Sequence, residues 1–216
     1  MLVVACNTAS ALALPAIRST VGVEVIGVIE PGARAAVTTG TDNRIGVIAT
    51  EATVQSHAYQ QAISAIDYEA SVVERACPLF VSLAEEGWSD TGVAREVARQ
   101  YLKDFNSDTI SALVLGCTHY PILRDVINEV VGDGVTLIDS GEATAREVKA
   151  FLKHSALAHS DTSALYEERR LCDDLDHFYV TDAATRFAKV AERFLGVSPT
   201  ILEAVEIWGH DELRAN

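Results

Sequence analysis

Seven apolar runs rich in β-branched residues punctuate the chain, at positions 2–5, 23–29, 45–49, 71–73, 112–115, 135–138 and 178–180. Several are continuous rather than alternating, the pattern of strands buried on both faces of a parallel sheet. Between them lie stretches with apolar residues three and four apart, at 53–66, 95–105, 120–131, 143–152 and 184–195. This spacing predicts amphipathic helices, the last ending at Gly196, a residue suited to a left-handed C-cap. Strand–helix–strand repetition predicts an α/β fold with open parallel sheets. The rhythm is interrupted at Glu30-Pro31-Gly32 and again near Asp139-Ser140-Gly141, which marks both as domain crossings. Positions 154–176 are polar and weakly periodic, and read as a long surface connection.

Composition sharpens this picture in two respects. With 216 residues, 49% hydrophobic and 22% charged, the chain has enough apolar material for a packed core in one large or two small domains. The formal net charge is −14, and no two basic residues adjoin except Arg169 and Arg170. Such a surface repels a phosphate backbone, so nucleic acid is not an expected partner. A small anionic ligand needs only local donors, and backbone amides at helix starts supply them.

Cys6, Cys77, Cys117 and Cys172 lie far apart, with no Cys-x-x-Cys pair. That usage predicts reduced thiols and a cytoplasmic location. The opening Met-Leu-Val-Val-Ala-Cys ends like a lipoprotein cleavage site. It lacks the basic segment and the apolar stretch of about 7–15 residues that an export signal requires. No apolar run reaches the ~18 residues that would span a membrane.

Two strand ends share one feature. Val3-Val4-Ala5-Cys6-Asn7-Thr8 closes an apolar run with a thiol and two small polar residues, and Val114-Leu115-Gly116-Cys117-Thr118-His119 does so again. Ligands of open α/β sheets bind beyond the carboxyl ends of strands, where free amides and the helix dipole favour an anion and lower a thiol's pKa. Two readings stay open on this pattern alone. Both cysteines can be small buried hydrophobes, as free cysteines usually are. Alternatively they are paired acid/base groups: inverting a carbon that carries a weakly acidic proton needs a base on one face and an acid on the other.

The two segments resemble the signatures of glutamate racemases. So do Gly27-Val28-Ile29-Glu30-Pro31-Gly32, Arg44-Ile45-Gly46-Val47-Ile48-Ala49-Thr50, Ala76-Cys77-Pro78-Leu79-Phe80 with Glu85-Glu86-Gly87, and Ile138-Asp139-Ser140-Gly141. The likeness runs from Met1 to about Leu195. It implies two pseudo-symmetric α/β domains with open parallel sheets and the active site between them. The first would comprise 1–30 with 139–216, its N-terminal part missing, and the second 31–138. It further implies a cofactor-independent enzyme, without pyridoxal phosphate or metal, that interconverts L- and D-glutamate for peptidoglycan synthesis. Cys6 and Cys117 match the two catalytic thiols, each serving one enantiomer. Asn7, Thr8, Thr118 and His119 match residues that hold the substrate, and His119 also assists Cys117. Glu85, rather than Glu86, matches an auxiliary carboxylate. The partner implied is a small-molecule substrate, with no nucleic acid and no membrane, and the resemblance allows a homodimer.

The departures from the family pattern carry weight too. An Asp-Ser-Gly segment ahead of the first catalytic cysteine, whose Asp assists that thiol, has no counterpart here, nor does a later Pro-Tyr-Gly. Asp139-Ser140-Gly141 is no replacement, because its place in the family lies after the second cysteine. Met1 matches an internal Met of the strand leading to the first thiol. The chain is therefore expected to be a poor catalyst as it stands, with strand 2–5 lacking a neighbour on one side. Two alternatives stand beside the leading reading: a racemase of a related amino acid such as aspartate, and a non-catalytic chain that only binds a ligand or partner. Tyr120-Pro121 and Cys77-Pro78-Leu79 favour glutamate. Cys77 and Cys172 read as structural, and His57 as a surface or boundary residue within a helix. His154 and His159 are five apart, the wrong spacing for one helix face, which argues against zinc.

Overall fold

The computed structural model describes residues 1–155, 157–158, 172 and 176–206. Contacts gather Met1–Ala158 into one compact unit and His159–Asn216 into another.

The first unit holds two parallel sheets. Strand β1 (Leu2–Val4) pairs with β2 (Val25–Gly27), with α1 (Asn7–Leu12) and α2 (Leu14–Thr20) between them in sequence. Helix α3 (Ile29–Thr39) then leads into a four-stranded sheet of order β4-β3-β5-β6. Its strands are β3 (Arg44–Ala49), β4 (Ser71–Ala76), β5 (Ala112–Gly116) and β6 (Thr136–Asp139). Helices α4 (Glu51–Gln55) and α5 (Ala58–Ile66) join β3 to β4, and α6 (Leu79–Glu86) and α7 (Gly92–Leu102) join β4 to β5. A 3-10 turn (Tyr120–Leu123) and α8 (Arg124–Val131) lead to β6, and α9 (Ser140–His154) follows it.

Strand alternation decides which helices lie on which face. Ile45, Val47, Ala112 and Val114 pack with Ile29 and Ala33 of α3 and Tyr59 and Ile63 of α5. Ile48, Leu113 and Leu115 point the other way, onto Phe80 and Leu83 of α6, Ala94 and Ala98 of α7, and Val126 and Ile127 of α8. Both faces are covered, which is why β5 reads as an unbroken apolar run with all five residues buried. The two innermost strands run in register, Ala49 beside Gly116. Their connections leave toward opposite faces, β3 to α4 and β5 by way of the 3-10 turn to α8. That reversal falls at their carboxyl ends, the position at which α/β folds place ligands.

Several expectations shift. The helix expected over 53–66 is two helices, because His57 takes a left-handed backbone (φ 53°) between them. Its ring is exposed and its Nδ1 lies 2.9 Å from Glu74 Oε2, whose side chain is only 7% exposed. The stretch expected as one helix over 120–131 begins as a 3-10 turn. Glu30-Pro31-Gly32 is no connection but the start of α3, where proline removes no helical hydrogen bond. The change of sheet still falls nearby, between β2 and β3. Three further helices, α1, α2 and α6, are also not legible as amphipathic stretches in the sequence.

In the second unit, β7 (His177–Val180) pairs in parallel with β8 (Ile201–Ala204) through α10 (Ala184–Leu195). Gly196 caps α10 at φ 74°, as its position implied. Buried Cys172 donates through its amide to Asp176 and accepts at its carbonyl from Thr200. Most of the stretch read as a connection, His159 included, lies outside the described residues. His154 closes α9. Among the described residues no helix is long and apolar enough to cross a membrane.

Candidate active site

Cys6 leaves β1 in extended conformation and caps α1, its sulfur accepting from the Ala9 amide at 3.5 Å. The thiol is exposed, and no imidazole or carboxylate meets it among the described residues. Next in sequence, Asn7 is buried. Its Nδ2 donates to Tyr59 Oη at 2.7 Å and to Ser140 Oγ at 3.2 Å, while its Oδ1 is buried without a partner among the described residues. Thr8 joins a triangle of hydroxyls, 2.8 Å from Thr50 Oγ1 and 3.0 Å from Thr53 Oγ1, with 2.9 Å between the latter two. Thr50 terminates β3 and caps α4, so the triangle ties the Cys6 segment to the carboxyl end of the inner sheet.

Cys117 follows β5 and is 6% exposed. Gly116 before it admits no side chain, because a Cβ there would lie 2.7 Å from the Ile48 carbonyl oxygen. Burial pushes the Cys117 thiol up to about 11. The backbone amide of His119 opposes that rise, a negative charge on Cys6 adds to it, and the Thr118 side chain opposes it. The expected lowering of this thiol's pKa is thus reversed: one turn of amides does not offset loss of solvent around the thiolate.

His119 stands beside Cys117, its Nδ1 3.6 Å from Sγ. On its far side Nε2 lies 3.3 Å from Glu85 Oε1, at the end of α6. Glu85, His119 and Cys117 form a chain of proton-carrying groups, with His119 and Glu85 side chains 25% and 31% exposed. Glu86, one residue on, lines an apolar groove with Leu83, Trp88 and Val93 instead. Thr118 is exposed beside the thiol.

All seven residues singled out from sequence therefore gather at two strand ends: Cys6, Asn7 and Thr8 at one, Cys117, Thr118, His119 and Glu85 at the other. Thr50, Thr53, Tyr59 and Ser140 were not singled out. The spacing Thr50-x-x-Thr53 just after an apolar strand is the signal that would have found the first two. A cavity of about 430 Å³ bordered by Leu14, Arg18, Glu30 and Ala62 contains none of the seven. Among the described residues no group of three or more His, Cys, Asp or Glu is arranged to hold a metal.

Comparison with known proteins identifies the family. The model of the Asp/Glu/Hydantoin racemase family matches residues 1–148. A glutamate racemase from Geobacter metallireducens is 48% identical over 196 residues, which span 91% of this chain and 69% of that protein. One from Lactiplantibacillus plantarum is 47% identical over the same shares. Among solved structures, glutamate racemase isoform RacE1 from Bacillus anthracis superposes with a TM-score of 0.84 at 35% identity, covering 95% of this chain and 73% of that one. The Francisella tularensis glutamate racemase in complex with D-glutamate superposes with a TM-score of 0.82 at 34% identity, covering 96% and 74%. On its sequence, its parallel sheets and its paired thiol segments, the chain belongs to the Asp/Glu/Hydantoin racemase family and, within it, to the glutamate racemases.

Proposed function

We propose that the chain interconverts L- and D-glutamate by proton transfer between two thiols, in the cytoplasm and without a cofactor, supplying D-glutamate for peptidoglycan. The observation that carries this reading is that Cys6 and Cys117 each follow a parallel strand, with the Cys6 segment tied through Thr8 to Thr50 at the end of β3, the strand paired with β5. One sulfur, as thiolate, takes the proton from Cα, and the electron pair of that bond stays on the carbon. The opposed thiol gives its proton to the other face. The two sulfurs end with their protonation states exchanged, and the reverse reaction runs through the same groups.

Cys117 must reach the thiolate state against its burial. His119 is placed to receive the thiol proton, and Glu85 to stabilise the imidazolium formed. Asn7, Thr8, Thr118 and His119 hold the amino acid's polar groups. The hydroxyls of Thr50 and Thr53 extend that surface through Thr8, and the unpartnered Oδ1 of Asn7 is an acceptor that a donor would satisfy. The division 1–30 with 139–216, and 31–138, remains our proposal for the domain boundaries.

The test is to express residues 1–216 and follow D- and L-glutamate by circular dichroism, with D-aspartate in parallel. Conversion of glutamate that disappears in Cys6→Ala and in Cys117→Ala supports the reading. Conversion that survives either substitution refutes the two-thiol mechanism, and faster conversion of aspartate refutes the substrate. One observation favours a second reading, binding without turnover: among the described residues the only hydrogen-bond partner of the Cys6 thiol is a backbone amide, whereas Cys117 has an imidazole and a carboxylate behind it. Glutamate binding by calorimetry, with no inversion and no exchange of the Cα proton, would establish that alternative.

A further inference from the structure

Nothing in the proton-transfer scheme says what keeps two thiols on different sheets at the right separation. Two buried residues outside the reacting groups bridge the two strand ends. Tyr59, on α5, is fully buried, with its ring between Gly32 of α3 and Gly116 of β5. A Cβ at Gly116 would lie 3.0 Å from Tyr59 Cε2, and one at Gly32 would lie 3.2 Å from Cε1. The ring therefore rests on the residue immediately before Cys117. Its hydroxyl accepts from Asn7 Nδ2 at 2.7 Å, on the residue immediately after Cys6. Ser140, the first residue of α9, makes a second connection. It accepts from the same Asn7 amide at 3.2 Å and donates to the Leu115 carbonyl at 3.1 Å, two residues before Cys117.

We propose that Tyr59 and Ser140 are positioning residues that clamp Asn7 to β5 and so hold the Cys6 and Cys117 sulfurs in register on opposite faces of the substrate carbon. The inference rests on the two-thiol reading above. Its physical basis is that both connections run through a buried interface, where hydrogen bonds are directional and a donor left unpaired is expensive. Neither residue needs to touch the substrate. Loss of a hydroxyl lets Asn7, and Cys6 with it, move relative to β5. Displacements of the order of 1 Å in reacting groups slow catalysis by as much as ~10²-fold.

The experiment compares Tyr59→Phe, Ser140→Ala and the double variant with the unaltered chain, each given D-glutamate in deuterium oxide. Two quantities are read: inversion, and deuterium at Cα in the recovered starting enantiomer. When the sulfurs are in register, the carbanion is quenched from the opposite face and inversion dominates. When they are not, it is quenched more often from the face it lost its proton to, after that thiol has exchanged with solvent. The single variants are expected to invert about tenfold more slowly, within the range for mispositioned groups. Deuterium taken up per inversion should rise several-fold, and further in the double variant. A smaller folded fraction scales both quantities together and leaves their ratio alone, so a merely structural role would not move it. If Tyr59→Phe does not fold, Ser140→Ala carries the same test. A ratio unchanged in every folded variant, while the unaltered chain inverts glutamate, overturns this inference alone. Inversion that persists in Cys6→Ala, or no inversion and no exchange by the unaltered chain, overturns the underlying reading and this inference with it.

Discussion

Replacing Glu85 by Gln probes the Glu85–His119–Cys117 chain with little change of shape. The Cys117 thiol ionises near 11, so at about pH 8 its thiolate lies roughly 4 kcal/mol uphill, at about 1.4 kcal/mol per pH unit. His119 lightens that climb by taking the proton at 3.6 Å, and Glu85, 3.3 Å beyond, steadies the resulting cation. With both side chains partly exposed, that ion pair should contribute about 1–2 kcal/mol, above a surface pair and below a buried one. Glu85→Gln should therefore lower kcat/KM by roughly five- to thirtyfold. Enantiomers have equal free energy, so kcat/KM must fall equally in both directions, and direction alone cannot identify the impaired face. Deuterium at Cα of each enantiomer can. Proton transfers on the Cys117 face become slower, so the primary isotope effect should grow for the enantiomer deprotonated by Cys117 and shrink for the other. Dichroism at several substrate concentrations measures both. A kcat/KM within about twofold of the unaltered chain, or isotope effects that stay put in both directions, would refute this role for Glu85.

Three further outcomes are expected. Cys6→Ala and Cys117→Ala should each lower turnover by ~10²–10⁴-fold or more, and the Ser variants should be nearly as poor because a hydroxyl is a weak base; a few per cent of residual turnover in either Ala variant contradicts this. Stability should fall as pH rises from about 9 to about 12. Burial holds Cys77 near 12 and Cys117 near 11, against 9.0 for a free thiol, so the unfolded chain releases these protons first. The stability is intact below the unfolded value and is lost by about 1.4 kcal/mol per pH unit for each thiol as the folded values are approached. Cys77→Ala should flatten the decline in denaturant melts, and an unchanged slope would show that this thiol is not its source. Finally, a metal chelator should leave turnover unchanged and the purified protein should lack pyridoxal absorbance, since the thiols supply the acid and the base; inhibition by chelator that zinc reverses would overturn that.

How much of this was legible in the chain can be judged element by element. Seven of the eight described strands were, because a strand covered on both faces is a continuous apolar run, and β3 and β5 read as such; β8 (Ile201–Ala204) was not. Helix α10 was, because its apolar spacing is regular and Gly196 closes it. Helices α1 and α2 were not, since Asn7-Thr8-Ala9-Ser10 carries buried polar side chains where an amphipathic pattern would show apolar ones. Helix α3 opens with Glu30-Pro31-Gly32, which locally imitates a turn. The break at His57 depends on a left-handed backbone angle that no periodicity encodes.

For the site, the sequence by itself determined which side chains are chemically able: two thiols in matched strand-end settings, with an imidazole two residues beyond one of them. Both identities are local, written in runs of six residues. The tertiary structure decided what surrounds them. Burial raised the Cys117 pKa where the strand-end position alone implied a fall, because desolvation depends on neighbours distant in sequence. The pairing of Glu85, already the carboxylate the resemblance favoured, with His119 followed from the end of α6 facing the turn after β5. The clamp from Asn7 to Tyr59 and Ser140 joins residues 52 and 133 positions apart. Contacts of that range exist only once the sheets have packed, so no local pattern along the chain announces them.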